Sequence, residues 1–153
     1  MLAHIKENHL STNECDNLIE FYKKNSEQAK LFRNNFPLPL RGQILEKVKN
    51  YLEPMSLTLN NSILDWSDLV YWPKKSYQDL HKDFASAHTT LSSITYLNDN
   101  FIGGITYFQD GTQFAPVKGR TVFFDGQYFN HGVTPIFQGE RYTLATWYKK
   151  NSS

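Results

Sequence analysis

The sequence predicts a mainly β domain of the α+β class, with N-terminal helices packed on the outside of a strand-built core. Helical periodicity is confined to the first third of the chain. The remainder is a series of short runs rich in β-branched and aromatic residues, and aromatics make up 15% of the chain, a bias that suits pleated surfaces. Compact turn signals separate those runs.

The first helix starts at a capping-box pattern, Ser11 with Glu14, and Leu10 and Cys15 are spaced as a hydrophobic staple around it. Cys15, Leu18, Ile19 and Tyr22 follow at i, i+3, i+4 and i+7, one face of a helix. A second helix is expected over residues 41–53, with Ile44, Leu45, Val48 and Leu52 along one side and Pro54 as its stop. Between the two, NNFPLPL reads as a linker with two prolines.

From Met55 onward the runs are MSLTLNNSI, DLVYW, TTLSSITYL, GGITYF, TVFFD, GVTPIF and RYTLATWYK. They are divided by NDN, DGT, KGR, DGQ and QGE, which amounts to about seven or eight short strands. No helical pattern interrupts them, so a sandwich, barrel or jelly roll is expected. Helices followed by strands place the helices against one face of a sheet. The terminal NSS reads as a frayed tail.

A length of 153 residues suits one domain, with 1–54 as helical support and 55–149 as the β core. Sixteen basic against 15 acidic residues, with no basic block, argue against a nucleic-acid or acidic-membrane partner. A single cysteine, Cys15, excludes a disulfide framework and CxxC metal sites. It sits on the apolar helix face, as a small buried hydrophobe does. The N-terminus lacks a signal-peptide core and no run is long enough to span a membrane. A cytoplasmic location is the expectation that follows.

The chemistry concentrates in SYQDLHKDF, residues 76–84. In an extended segment His81 and Asp83 point to the same face. An imidazole and a carboxylate so placed grip a metal from two corners, and His131 in YFNHGVTPIF is the best third ligand. Two His and one carboxylate on one face of an iron leave three positions open, the arrangement of non-haem Fe(II) oxygenases. A structural zinc site would be closed and richer in Cys. Arg141 opens the last run, where Arg141, Thr143, Ala145 and Trp147 share one parity. A guanidinium on an inward face needs an anionic partner, and its planar fork suits a carboxylate. That partner is either a protein acid or the far carboxylate of a small dicarboxylic cosubstrate. Tyr96, in SSITYLN, is placed to add a hydroxyl from a neighbouring strand.

His81-x-Asp83, then His131, then Arg141 resembles the signature of the Fe(II)- and 2-oxoglutarate-dependent dioxygenases. ITYLND, GGITYF and RTVFFDGQYFNHGVTPIFQGERYTLATWY resemble stretches of its prolyl 4-hydroxylase branch, over about residues 68–149. The resemblance implies a double-stranded β-helix, or jelly-roll, catalytic core. It implies that His81, Asp83 and His131 bind iron. Arg141 would bind the distal carboxylate of 2-oxoglutarate, assisted by Tyr96 and Thr143. It also implies dioxygen as cosubstrate, ascorbate as reductant, succinate and carbon dioxide as products, and hydroxylation of an unactivated C–H bond. Two positions depart from the family: Gln78 stands where many relatives carry Tyr, and Trp72-Pro73-Lys74-Lys75 replaces a Tyr-x-x-Gly type loop.

The leading expectation is prolyl 4-hydroxylation of a peptide or protein, with a proline-rich segment as partner. The same chemistry on a free amino acid, another small molecule or another peptidyl residue is the alternative. A jelly-roll module that binds a metal or ligand without turnover is the reading from another class. Tyr71, Trp72, Tyr77, Tyr107 and Tyr128 form either an aromatic groove for an extended peptide or the ordinary packing of a small β domain. Trp147 is expected in the barrel core, on the iron pocket. Gly103-Gly104 is not a phosphate loop, because no helix follows; close backbone approach is the better account. His4, His9 and His88 have no partners at ligand spacing and read as structural.

Overall fold

The computed structural model describes residues 3–40, 62–83 and 89–150. The described elements are β1 (Ala3–Lys6), α1 (Thr12–Lys24), a short 3-10 turn (Ser26–Gln28), β2 (Phe36–Pro39), β3 (Ser62–Trp72), β4 (Gln78–His81), β5 (Thr89–Tyr96), β6 (Ile102–Gly103), β7 (Thr106–Phe108), β8 (Gln113–Phe114), β9 (Thr121–Phe124), β10 (His131–Val133), β11 (Ile136–Gln138) and β12 (Arg141–Lys150). The helix expected over 41–53 and most of the run 55–63 lie outside the described residues.

The strands form a six-stranded sheet in the order β1-β9-β5-β12-β3-β2, a four-stranded sheet β4-β10-β7-β8, and the pair β11-β6. All described pairings are antiparallel. The long strands β3 and β12 pair along ten positions and form the centre of the larger sheet. Side chains alternate between its two faces. One face, with Leu69, Phe123, Leu144 and Tyr148, is covered by Cys15, Leu18 and Tyr22 of α1. The other face meets the smaller sheets: Val70 and Trp72 pack with Val133 and Ile136, and Tyr96, Val122 and Phe124 pack with Phe108. Two facing sheets with a helix outside make a jelly-roll core.

α1 begins as the sequence predicts. Ser11 Oγ accepts from the Glu14 N–H at 3.1 Å, and Glu14 Oε1 accepts from the Ser11 N–H at 2.9 Å. Leu10 and Cys15 are both buried in the core beside it.

Three segments differ from the sequence reading. NNFPLPL is no linker: Phe36–Pro39 is the edge strand β2, paired with β3, with Leu38 buried. An edge strand leaves one row of backbone groups unpaired, which is where proline is tolerated. GVTPIF is two short strands, β10 and β11, broken at Thr134-Pro135. Residues Ala3–Lys6, read as no particular element, add β1 beside β9. Among the described residues, no helix is long and apolar enough to cross a membrane.

Candidate active site

β4 ends at His81 and β10 begins at His131, and the two residues are register partners across the antiparallel pair. Their ring centroids are 4.3 Å apart. Asp83 follows just beyond the end of β4, where its N–H donates to the Gly126 carbonyl at 2.7 Å. That bond ties Asp83 to the turn preceding His131. His81 Nε2 lies 3.7 Å and His131 Nε2 3.3 Å from the same oxygen, Asp83 Oδ1. One potential ligand atom from each of the three residues falls within 4.8 Å of the other two.

Tautomers follow from the backbone. His81 Nδ1 is 2.8 Å from the Asp79 carbonyl, and His131 Nδ1 is 3.1 Å from the Phe129 carbonyl. A carbonyl only accepts, so both Nδ1 atoms carry a proton, and both Nε2 atoms are directed at Asp83 Oδ1, on the side where a metal would be held. Hydrogen bonds of this kind orient metal-ligating histidines. Asp83 Oδ2 accepts from Ser92 Oγ at 2.7 Å and from Trp147 Nε1 at 3.2 Å, which leaves Oδ1 to face the imidazoles. The donor set therefore fits a divalent iron: two imidazole nitrogens and one carboxylate oxygen on one side, each held by a partner of its own.

Burial keeps His81 neutral, and the adjacent His131 adds to that effect. Burial alone would raise the Asp83 carboxyl, but the hydrogen bond and charge of His131, the Ser92 hydroxyl and His81 together hold it below the usual carboxylate range. Both groups are thus in the protonation state that a metal requires.

These side chains line a cavity of about 790 Å³ between the two large sheets, together with Trp66, Trp72 and Trp147. Arg141 lies in the same cavity and is fully buried. Its Nε donates to the Gly104 carbonyl at 3.1 Å and its Nη2 to Thr106 Oγ1 at 3.3 Å. The guanidinium carbon sits 4.8 Å from the Trp72 ring centroid and 5.5 Å from that of Tyr96. Among the described residues no carboxylate pairs with it. A desolvated cation without an acidic partner is costly, and burial pulls its proton affinity down. The site accordingly has an unmet demand for an anion. Gly104 explains the paired glycines: a Cβ there would lie 3.0 Å from Arg141 Cδ and 2.8 Å from the Phe101 ring, at a φ of +62°.

Thr143 lines the cavity, and its Oγ1 accepts from Trp72 Nε1 at 3.4 Å. Tyr96 is fully buried, but its hydroxyl donates to Thr106 Oγ1 at 2.6 Å, so it reaches Arg141 through Thr106 and its ring face. Of the aromatic residues read as a groove, Trp72 alone lines the cavity. Tyr71 packs on the helix side, and Tyr77 and Tyr128 are exposed elsewhere. Sequence reasoning missed Ser92 and Thr106, which carry no motif signal, and Gly126, whose close approach to Asp83 exists only in the fold.

Residues 68–149 match the family model of the 2OG-Fe(II) oxygenase superfamily. No curated protein sequence matches the chain. Similar solved structures include a viral collagen prolyl hydroxylase from Paramecium Bursaria Chlorella virus-1 in its 2OG complex, at TM-score 0.77 and 21% identity over 99% of this chain and 97% of that one. A Pseudomonas putida prolyl-4-hydroxylase has TM-score 0.77 and 17% identity over 98% and 93% of the two chains. A prolyl hydroxylase from Trichoplax adhaerens, in complex with a hypoxia inducible factor oxygen degradation domain peptide fragment, has TM-score 0.77 and 17% identity over 97% and 83%. The family match spans more than half of the sequence and contains the His-Asp-His cluster and Arg141, so the chain belongs to the 2OG-Fe(II) oxygenase superfamily and is an Fe(II)- and 2-oxoglutarate-dependent dioxygenase.

Proposed function

We propose that the enzyme hydroxylates a peptidyl prolyl residue, at C4, with release of succinate and carbon dioxide. In this reading His81, Asp83 and His131 hold Fe(II), and Arg141 binds the distal carboxylate of 2-oxoglutarate. The observation that carries it is the pairing, in one cavity, of a three-ligand cluster with a buried guanidinium that has no acidic partner among the described residues. A dicarboxylate bridging the two would satisfy both charges.

Bound iron, with 2-oxoglutarate and dioxygen, supplies the oxidising power for C–H hydroxylation, and ascorbate is the reductant that keeps the metal ferrous. The protein's own contribution is orientation and exclusion of water. Backbone carbonyls of Asp79 and Phe129 fix the imidazoles, and Ser92 and Trp147 fix Asp83. Phe124 and Phe108 pack beside His131, with ring centroids at 4.6 and 6.2 Å, and shield it from bulk water. Thr143 lines the cosubstrate side, and Tyr96 positions Thr106 against Arg141.

A peptidyl proline suits the other wall. Trp66 stacks on Trp147 at 4.9 Å, and Pro37 and Pro39 of the edge strand continue that wall. Flat aromatic faces pack well against a saturated ring. Fold likeness to prolyl hydroxylases supports the same substrate class.

The test is succinate release by anaerobically iron-loaded protein after addition of oxygen and 2-oxoglutarate, with and without proline-containing peptides and with ascorbate present. Peptide-stimulated succinate together with hydroxyproline in the peptide is expected. Stimulation by free amino acids or other small molecules, and never by peptides, would reassign the substrate.

A further inference from the structure

The cavity mouth has features that iron and cosubstrate binding leave unused. Phe32 and Asn35 exchange backbone hydrogen bonds, N–H to carbonyl at 2.8 Å and the reverse at 3.1 Å, and so close a two-residue turn through Arg33 and Asn34. Arg33 sits there at a φ of +60°. That region is sparsely populated by bulky L-residues, and glycine would adopt it more easily. The turn carries Leu31 and Phe32, which are 62% and 56% exposed, onto the rim of the cavity. The Arg33 guanidinium lies 5.5 Å from the Phe32 ring centroid, and both residues line the same cavity as His81.

Among the described residues, exposed charge at the mouth has one sign. Among the described lining residues, the exposed charged ones are Lys30, Arg33 and Lys82, all cations. Asp68 and Asp83 lie on the walls and are only partly exposed. The chain as a whole is nearly neutral, at +1, so composition does not account for this grouping.

We propose that this rim docks an acidic peptide segment bearing an apolar side chain beside the residue to be hydroxylated, with Arg33 as a specificity-determining cation. The inference rests on the peptide-hydroxylase reading above and narrows its substrate class. Acidic side chains pair with Lys30, Arg33 and Lys82 and steer the segment to the mouth. An apolar side chain covers Leu31 and Phe32, which otherwise face water at the entrance. A strained backbone at Arg33 is the cost of aiming a guanidinium at the entrance, a pattern typical of binding sites.

The test measures binding apart from turnover. Protein loaded anaerobically with Fe(II) and 2-oxoglutarate is titrated into fluorescent proline-containing peptides whose flanks are Glu, Ser or Lys, and anisotropy is read at low and high salt. The Glu peptide is expected to bind about tenfold more tightly than the Lys peptide at low salt, with the gap closing as salt rises. Arg33→Gly removes the guanidinium and suits the backbone. It is expected to retain or raise Tm while weakening the Glu peptide roughly three- to tenfold, with no loss for the Lys peptide. Lys30→Gln, at an exposed position, is expected to act in the same direction and serves as the independent variant.

Equal affinity for Glu and Lys peptides, or Arg33→Gly and Lys30→Gln proteins that bind the Glu peptide as the wild type does, overturns the proposal. So does a single-stranded oligonucleotide that competes as well as the Glu peptide. Succinate and hydroxyproline measured in the same samples keep the two readings apart. Tight, salt-sensitive binding of the Glu peptide without proline hydroxylation sinks the prolyl reading and leaves the acidic surface standing. Hydroxylation of all three peptides with equal affinity does the reverse.

Discussion

Trp147 donates its indole N–H to Asp83 Oδ2 at 3.2 Å, joining the last strand of the large sheet to the loop that follows β4. With Ser92 it holds one carboxylate oxygen so that the other faces the two imidazoles. Partners of metal ligands commonly contribute ten- to hundredfold to metal affinity or activity. Trp147→Phe keeps an aromatic ring next to Trp66 while removing the N–H together with the pyrrole part of the indole. Iron affinity is expected to fall about tenfold in an anaerobic Fe(II) titration, with the circular dichroism spectrum unchanged.

Gly126 tests the same carboxylate from its backbone side. A Cβ at this position would overlap Asp83 Oδ2 and lie 2.6 Å from Ser92 Oγ. Gly126→Ala is therefore expected to displace Asp83 and abolish stoichiometric iron binding, measured by metal analysis of the folded variant. Wild-type iron content in that variant would show that the loop yields without moving Asp83.

Arg141→Ala removes the one fully buried cation among the described residues of the cavity. Loss of a buried, hydrogen-bonded charge partner costs about 2–5 kcal/mol, so the 2-oxoglutarate requirement is expected to rise about a hundredfold or more while iron still binds. A thermal shift supplies the check. 2-Oxoglutarate raises the Tm of the iron-loaded wild type by mass action, and the same concentration leaves the variant nearly unmoved.

Acidification acts on the metal-free protein through His81 and Asp83. His81 is held neutral in the fold, below its ordinary 6.5, chiefly by burial, so below that pH the unfolded chain takes up a proton that the folded one resists. Stability is then complete above about pH 6.5 and declines as the pH drops beneath it. Asp83, with its depressed carboxyl, adds a second loss only at lower pH, as the pH falls toward its folded-state value. Tm is expected to fall from about pH 7.5 to about pH 5.5, and His81→Asn to flatten that slope. An equal slope in the variant would move the effect to other groups.

Cys15 offers a control on the helix-side core. Burial pushes its thiol up to about 11, so thiolate is scarce at neutral pH. A thiol reagent at pH 8 is expected to label the native protein only at the rate of unfolding, and to label fully in denaturant.

Much of this architecture is visible in the residues themselves. The capping box at Ser11 and Glu14 forms, because its donors and acceptors are three residues apart on one turn. Strand parity along RYTLATWYK also holds. Arg141, Thr143, Ala145 and Trp147 line the cavity, while Tyr142, Leu144 and Tyr148 join the helix-side core. Parity survives because a strand places alternate side chains on opposite faces whatever its neighbours are. Reading NNFPLPL as a linker failed for the complementary reason. Proline rules out a central strand, and only the sheet order shows that β2 lies at an edge.

The sequence by itself determined the elements of chemistry: two histidines, an aspartate and an arginine in a strand-rich frame, with a family match that assigns the reaction type. Only the tertiary structure decided their geometry. It set His81 opposite His131 and brought Ser92 and Trp147 to the second oxygen of Asp83. It buried Arg141 without an acid among the described residues, and it turned Lys30, Arg33 and Lys82 toward one opening. The physical reason is range. Capping, turns and alternation are settled within a few residues, whereas the second oxygen of a carboxylate and the partner of a buried cation depend on which strands pair, across separations no local pattern encodes.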